Sequence, residues 1–361
     1  TRPYKRAAEP YLRVLPCLSG FSMRKRKDSM NPLRTGILGC GGFAHRHAQI
    51  LTTLPSQVEM VAFCDRNEWK ARAFADQYSG GRAQVFTGHQ AMFDQAALDL
   101  AIICLPPYGH TDEVEQAAAR GIHLLIEKPI ALTSEHGWRM VEGAERAGIK
   151  TQVGFMFRFG EAVERLKAML ESGEAGRPGL MSARYFCNAL HADWWRVREK
   201  SGGQLVEQAI HIFDLLRFLF GDAVSVYSRQ ENLFHRDVPG YTAEDVSATV
   251  VSFGNGALGV VYATNGAIPG KWINDYRVVA GKVTAEFASA NQATFVFTAE
   301  PEREPLTIAS DKDFRLAQTQ DLLDAIRTGG ETRTPLREGA KTLDLVLGAV
   351  RSNEQRGEIG L

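Results

Sequence analysis

Leu205 to Phe220 reads LVEQAIHIFDLLRFLF, a greasy run that nevertheless holds Glu207, His211 and Asp214. Residues four and then three apart return to one side of an α-helix, so a carboxylate, an imidazole and a second carboxylate share one stripe. An imidazole with an ordinary pKa of about 6.5 is suited to take a proton from a hydroxyl group near neutral pH. The same residues admit a plainer reading. His211 is then a hydrogen-bonded core histidine, Glu207 a carboxylate favoured in the first helical turns, and Asp214 a structural hydrogen-bond acceptor.

A second constellation lies near the start of the patterned chain. GCGGFAHRHA, residues 39 to 48, contains Gly39-x-Gly41-x-x-Ala44 between a strand-like and a helix-like run. This fits the dinucleotide fingerprint, with Gly42 and Phe43 completing the loop. Gly39 permits the tight turn and Gly41 lets backbone amides approach a pyrophosphate. Ala44 lets the helix pack on the sheet, and the helix N-terminus attracts the anion. Asp65 ends the next strand, where a carboxylate accepts both adenosine ribose hydroxyls and repels a 2′-phosphate. That favours NAD. Arg66 either lies over the adenine or tolerates a 2′-phosphate, so NADP stays open.

The elements that must position these residues fall into two halves. From Leu33, the runs TGILGC, EMVAFCD, LDLAIICLP, IHLLIEKP and KTQVGF alternate with helical segments, two of which end at Gly121 and Gly148. Repeated strand–helix alternation argues for an α/β, doubly wound parallel sheet, a Rossmann domain over 33–154. After about Phe155 one helix and a strand precede LVEQAIHIFDLLRFLF. Consecutive β-like runs over 223–298 follow, and helices over 313–328 and 338–355 close the chain. This texture predicts a second domain, 155–361, of α+β type with an open, largely antiparallel sheet, its last helices free to pack back on the first domain.

Residues 1–32 read as a basic, disordered extension, with Met30 as a working start and an organelle-targeting peptide as the alternative. The remainder is ordinary for a globular protein: 44% hydrophobic and 23% charged. Lysine plus arginine equals aspartate plus glutamate at 42 each, which gives no global attraction to nucleic acid or an anionic membrane. No apolar run approaches the length of a transmembrane helix. Five cysteines without a CxxC pair point to free thiols and the cytoplasm. His110, His191 and His211 could converge on a metal, but no short ligand spacing such as HExxH exists, so none is expected.

Two further stretches carry a family resemblance. LPPYGHTDEVEQAAARGIHLLIEKPIALT, 105 to 133, and SGGQLVEQAIHIFDLLRFLFG, 201 to 221, resemble the glucose–fructose oxidoreductase/inositol dehydrogenase/rhizopine-catabolism superfamily, Gfo/Idh/MocA. The resemblance spans nearly the whole chain from Leu33. It implies that Leu105, Pro106 and Pro107 line the nicotinamide side of a cleft, with His110 following. Glu127-Lys128-Pro129 would end the fifth strand, where Lys128 contacts cofactor ribose and a substrate hydroxyl. His211 becomes the catalytic histidine of a motif usually written Asp-x-Gly-x-His-x-x-Asp. Here that motif reads Glu207-Gln-Ala-Ile-His211-Ile-Phe-Asp214, with glutamate for the first aspartate and alanine for the glycine. Trp194-Trp195 ahead of Gly202-Gly203 resembles the lead-in of related members.

The resemblance thus implies an NAD(P)-dependent dehydrogenase that oxidises a hydroxyl carbon of a sugar, cyclitol or derivative. His211 would accept the proton, Lys128 would stabilise the developing alkoxide, and Glu207 would partner substrate or lysine. Arg158, Trp194, Trp195 and Asp214 are the expected substrate contacts. Each also reads as structural: Arg158 beside an acidic neighbour, Asp214 as a core acceptor, one tryptophan as packing. Two other classes fit the same residues, a glycosidase that recycles tightly bound NAD and a nucleotide-sensing protein without catalysis. Relatives commonly pair through the second-domain sheet, which implies a homodimer or homotetramer.

Overall fold

The computed structural model describes residues 31–361, to which all counts below refer. The basic extension expected over 1–32 lies outside the described residues, apart from its last two positions. The first half runs β1 (Leu33–Leu38), α1 (Ala44–Thr52), β2 (Val58–Cys64), α2 (Glu68–Ser79), β3 (Gln84–Phe86), α3 (His89–Gln95), β4 (Leu100–Ile103), α4 (Glu113–Ala119), β5 (His123–Ile126), α5 (Ser134–Ala147) and β6 (Thr151–Val153). Its six strands form one sheet in the order β3-β2-β1-β4-β5-β6. All neighbours are parallel. Helices cover both faces, which is why β4 is buried at every position and reads as an unbroken apolar run. The strand order reverses between β1 and β4, and a nucleotide binds at such a switch point, outside the carboxyl ends of the strands.

The second half runs α6 (Glu161–Glu171), β7 (Pro178–Phe186), α7 (Asp193–Arg196), α8 (Arg198–Ser201), a π-helical turn (Leu205–Ala209) and α9 (Ile210–Phe220). Next come β8 (Ala223–Glu231), β9 (Val246–Phe253), β10 (Leu258–Thr264), β11 (Tyr276–Ala280), β12 (Val283–Ser289), β13 (Gln292–Phe297) and β14 (Leu306–Ala309). The chain then finishes with α10 (Phe314–Thr328), α11 (Leu336–Gln355) and β15 (Ile359–Gly360). Nine strands form the second sheet, order β14-β13-β12-β11-β7-β10-β9-β8-β15. Every pairing is antiparallel except β7 with β10. One face packs on α9 and α11, and the other alternates outward. Val279, Leu180 and Leu258 are cross-strand partners in an exposed apolar row.

The two halves share packing. Leu322 and Leu323 of α10 join Ala44, Ala48 and Leu51 of α1 in one core cluster. Leu343 and Val346 of α11 join Met140 and Val141 of α5 in another. Asp313 caps α10 by accepting from the amides of Arg315 (3.0 Å) and Leu316 (3.1 Å), a device worth about 1 kcal/mol. Strand β8 stops at Glu231, where the Asp245 carboxylate collects the amides of Leu233, Phe234 and His235. Strands β3, β14 and β15, with α3, escape sequence reading; β3 and β15 are only three and two residues long.

Candidate functional site

The segment that carries Glu207, His211 and Asp214 begins with two left-handed residues. Gly202 (φ +79°) and Gly203 (φ +96°) both occupy the left-handed region that favours glycine. A Cβ on Gly203 would stand 2.1 Å from Glu244 Oε2. That carboxylate, whose pKa burial pushes up, accepts from Leu205 N (2.7 Å) and from Arg198 Nη2 (2.9 Å). The glycine pair therefore lets a buried carboxylate cap the start of the segment. Leu205–Ala209 then winds as a π-helical turn, a rare form frequent at functional sites.

Glu207 projects from this turn and is gripped from two sides. Lys128, just beyond β5, donates from Nζ to Glu207 Oε1 (2.9 Å) and to the Glu207 carbonyl oxygen (2.5 Å). Trp195 donates from Nε1 to the other carboxylate oxygen, Oε2 (2.7 Å). The peptide between Lys128 and Pro129 is cis. One turn on, His211 is 6% exposed, with its ring 5.0 Å from Phe157 and edge-on to Phe155 at 6.2 Å. Its Nδ1 is buried without a partner. Burial above all, then the positive charges of Lys128 and Arg315, holds the imidazole well below its ordinary value. His211 is thus a neutral base at pH 7, within electrostatic range of Lys128.

The phosphate loop shows the geometry the fingerprint demands. Gly39 has φ +87°, and a Cβ there would stand 2.5 Å from the Cys104 carbonyl oxygen. Nothing lies within 4 Å of a Cβ built on Gly41 or Gly42, so the loop faces an open cradle. Phe43 is exposed and Ala44 fully buried. Asp65 is tied down rather than free: Oδ2 accepts from Cys40 N (2.9 Å) and Oδ1 from Asn67 N (2.8 Å). This fixes a carboxylate at the end of β2, with Arg66 exposed beside it. Leu105 and Pro106 are half-buried at the end of β4, and Pro107 is buried. The residues present fit a dinucleotide, with open glycines at the N-terminus of α1 and a fixed carboxylate at the adenosine end.

Four expected contacts are placed otherwise. Glu127 is buried, its Oε1 2.7 Å from His47 Nε2 on α1. His110 is buried against Glu113, Nδ1 to Oε1 at 2.5 Å. Burial opposes ionisation of Glu113, but the His110 hydrogen bond and charge outweigh it and hold the carboxyl at about 2. Arg158 and Asp214 form a bidentate pair (2.8 and 2.6 Å), only 3% and 1% exposed. Glu338 (3.1 Å) and Thr342 (3.2 Å) of α11 close around that pair. Asp214 thus meets Arg158 and α11 instead of an open cleft, and the stripe over the π-helical turn and α9 divides. Glu207 meets Lys128 and Trp195, His211 packs on Phe155 and Phe157, and Asp214 anchors the helix to its neighbours. Trp194 lies half-buried with its ring 5.9 Å from Tyr108, while Trp195 is buried.

His191, weighed in the sequence only as a metal ligand, packs instead among aromatic rings. His191 adopts φ +55° and sits between Trp195 (4.4 Å) and Trp272 (5.5 Å). Its Nε2 lies 2.9 Å from Gln208 Nε2, on the π-helical turn. Burial lowers its pKa. Among the described residues, no three His, Cys, Asp or Glu side chains gather as a metal site.

Comparison with known proteins decides the family. Residues 33–155 match the model of an oxidoreductase family with an NAD-binding Rossmann fold, GFO_IDH_MocA, and residues 163–286 match the GFO/IDH/MocA C-terminal domain. The chain belongs to the GFO/IDH/MocA oxidoreductase family. It is similar to a D-apiose dehydrogenase of Rhizobium rhizogenes, 28% identical over 342 residues that cover 90% of this chain and 96% of the relative. It is also similar to the scyllo-inositol 2-dehydrogenase (NAD(+)) of Bacillus subtilis, 27% identical over 233 residues, 64% of this chain and 67% of that one. The fold matches the WlbA dehydrogenase of Bordetella pertussis, solved with NADH and UDP-GlcNAcA. The TM-score is 0.79 at 24% identity, over 91% of this chain and 99% of that chain. This GFO/IDH/MocA protein is accordingly an NAD-dependent oxidoreductase with a Rossmann domain and a second, mostly antiparallel sheet.

Proposed function

We propose that the protein oxidises a hydroxyl-bearing carbon of a sugar, a cyclitol or a derivative, or reduces the matching carbonyl. The observation that carries this reading is a neutral, unpartnered His211 beside the Lys128–Glu207–Trp195 chain. NAD, when bound, supplies the hydride acceptor. His211 takes the hydroxyl proton, and Lys128 steadies the negative charge that grows on the same oxygen. Glu207 and Trp195 keep the ammonium of Lys128 aimed. Trp194, Trp272 and His191 offer flat faces to the C–H surface of a polyol. The fixed Asp65 carboxylate favours NAD over NADP.

We place the protein in a reducing compartment, the cytoplasm by preference, because Cys40, Cys64, Cys104 and Cys187 are free. No helix among the described residues is long and apolar enough to cross a membrane. The row of Val279, Leu180 and Leu258 is the face expected to meet a second copy of the chain. The direct test mixes purified protein with NAD and a panel of sugars and cyclitols at several pH values. Reduced cofactor forms with at least one. Silence across the panel would sink the proposal.

A further inference from the structure

A cation near the phosphate end of the cleft has no assigned role. Arg315 lies in the first turn of α10, half-buried, with Nε buried and without a hydrogen-bond partner. Helix α10 lies along α1: Leu322 and Leu323 pack with Ala44, Ala48 and Leu51. Beyond the far end of α1, Gln57 accepts from Arg327 and donates to Gln320 (2.8 Å). The later turns of α10 thus reach the C-terminal end of α1, and its first turn falls near the glycine loop. There Arg315 comes within electrostatic range of Arg46, in the first turn of α1, and of Glu127. It also reaches His211 electrostatically, and the adjacent Phe314 meets Phe157, the ring packed on that histidine.

Asp313 and Glu127 attract this guanidinium, but among the described residues neither carboxylate is bonded to it. Arg46 repels it. Glu127 is committed to His47 (2.7 Å), and Asp313 to the amides that cap α10 (3.0 and 3.1 Å). Burial foremost draws Arg315 below its ordinary value, with Arg46 adding to the effect. Half-burying a cation beside another cation is unfavourable unless an anion completes the group. Gly41 and Gly42, just before α1, leave open space for such an anion.

We infer that Arg315, carried by the second half of the chain, binds the pyrophosphate of the cofactor from the side opposite the glycine loop. This rests on the NAD-binding Rossmann domain and adds to it a ligand that the fingerprint does not contain. Pyrophosphate suits the position better than a substrate anion, because Arg46 places the positive field at the start of α1. At the Lys128 end the cation already has its carboxylate (2.9 Å). Guanidinium is the right donor, since its planar fork matches two phosphate oxygens at once.

The test compares Arg315→Gln and Arg315→Lys with the parent protein by calorimetry, using NADH, ADP-ribose, which keeps the pyrophosphate, and adenosine, which lacks it. Arg315→Gln should weaken NADH and ADP-ribose about ten- to a hundredfold and leave adenosine within about twofold. Arg315→Lys should recover part of the loss, and the salt dependence of ADP-ribose binding should flatten in the glutamine variant. Three results would overturn the inference: unchanged ADP-ribose binding in Arg315→Gln, an equal loss for adenosine, or a rise confined to the KM of an anionic sugar. A parent protein that binds neither NADH nor ADP-ribose would overturn the cofactor reading as well, and is told apart by needing no variant.

Discussion

Glu207 spans two donors, so both its charge and its length are open to measurement. Lys128 Nζ lies 2.9 Å from Oε1 and Trp195 Nε1 lies 2.7 Å from Oε2. The lysine and glutamate side chains are only 11% and 16% exposed, which sets them apart from surface pairs that contribute little. Glu207→Asp withdraws the carboxylate by one methylene, about 1.5 Å, and two contacts below 3 Å cannot both survive that. Glu207→Gln keeps the reach and removes the charge. A charge-assisted hydrogen bond contributes roughly 1.5–3 kcal/mol. Lys128 keeps its second contact, to the Glu207 carbonyl oxygen at 2.5 Å, so the lower part of that range applies. About 2 kcal/mol corresponds to roughly a thirtyfold fall in kcat/KM for either variant. The assay is steady-state NAD reduction with the best polyol from the panel, beside a thermal melt. The melting temperature should move by only a few degrees. If either variant stays within about twofold of the parent, the carboxylate does not aim Lys128 and the reasoning fails.

His211→Asn should lower kcat by about 10²–10⁴-fold, the usual value of a positioned base, with NADH binding unchanged by calorimetry. Because His211 is held below its ordinary 6.5, the base is ready at neutral pH and the acid limb of kcat/KM should lie below that value. The unfolded chain takes up a proton the fold refuses, so stability present above pH 6.5 should decline as the pH falls toward the folded value. Urea melts of the asparagine variant should lose that part of the slope. Asp214→Ala leaves Arg158 charged and buried, at a cost of about 3–5 kcal/mol; a melting midpoint near that of the parent would contradict the buried pair. Leu258→Asp on the exposed row should convert a dimer to a single chain in light scattering, and an unchanged mass would remove this face from assembly.

The sheets were legible because burial on both faces leaves unbroken apolar runs such as LAII, whereas one-sided burial leaves the alternation seen in β9. The glycine loop was legible because its backbone geometry excludes side chains at Gly39. What periodicity cannot show is the partner that arrives from elsewhere. Asp214 shares a stripe with His211 on a helical wheel, yet Arg158, 56 residues earlier, claims both its oxygens. His191 was read only as a possible metal ligand, because no spacing rule anticipates the left-handed backbone of a residue that packs on Trp195 and Trp272. Arg315 sits in a polar helix start that looks like solvent-facing surface until α1 packs beside it.

Glu127 bears on how such a site can change. Its carboxylate leaves the lysine next door to others and reaches across 80 residues to His47, on the helix that rises from the phosphate loop. Gly154 must stay bare to admit it, since a Cβ there would stand 2.7 Å from Oε2. The first letter of the Glu-Lys-Pro signature therefore encodes carpentry, and its second letter is the one proposed to meet the substrate. On the proposed function, drift at Lys128 would alter what the protein does while leaving it well folded. Drift at Glu127 would require matching moves at His47 and Gly154, which ties the spacing between nucleotide and lysine to three distant positions at once.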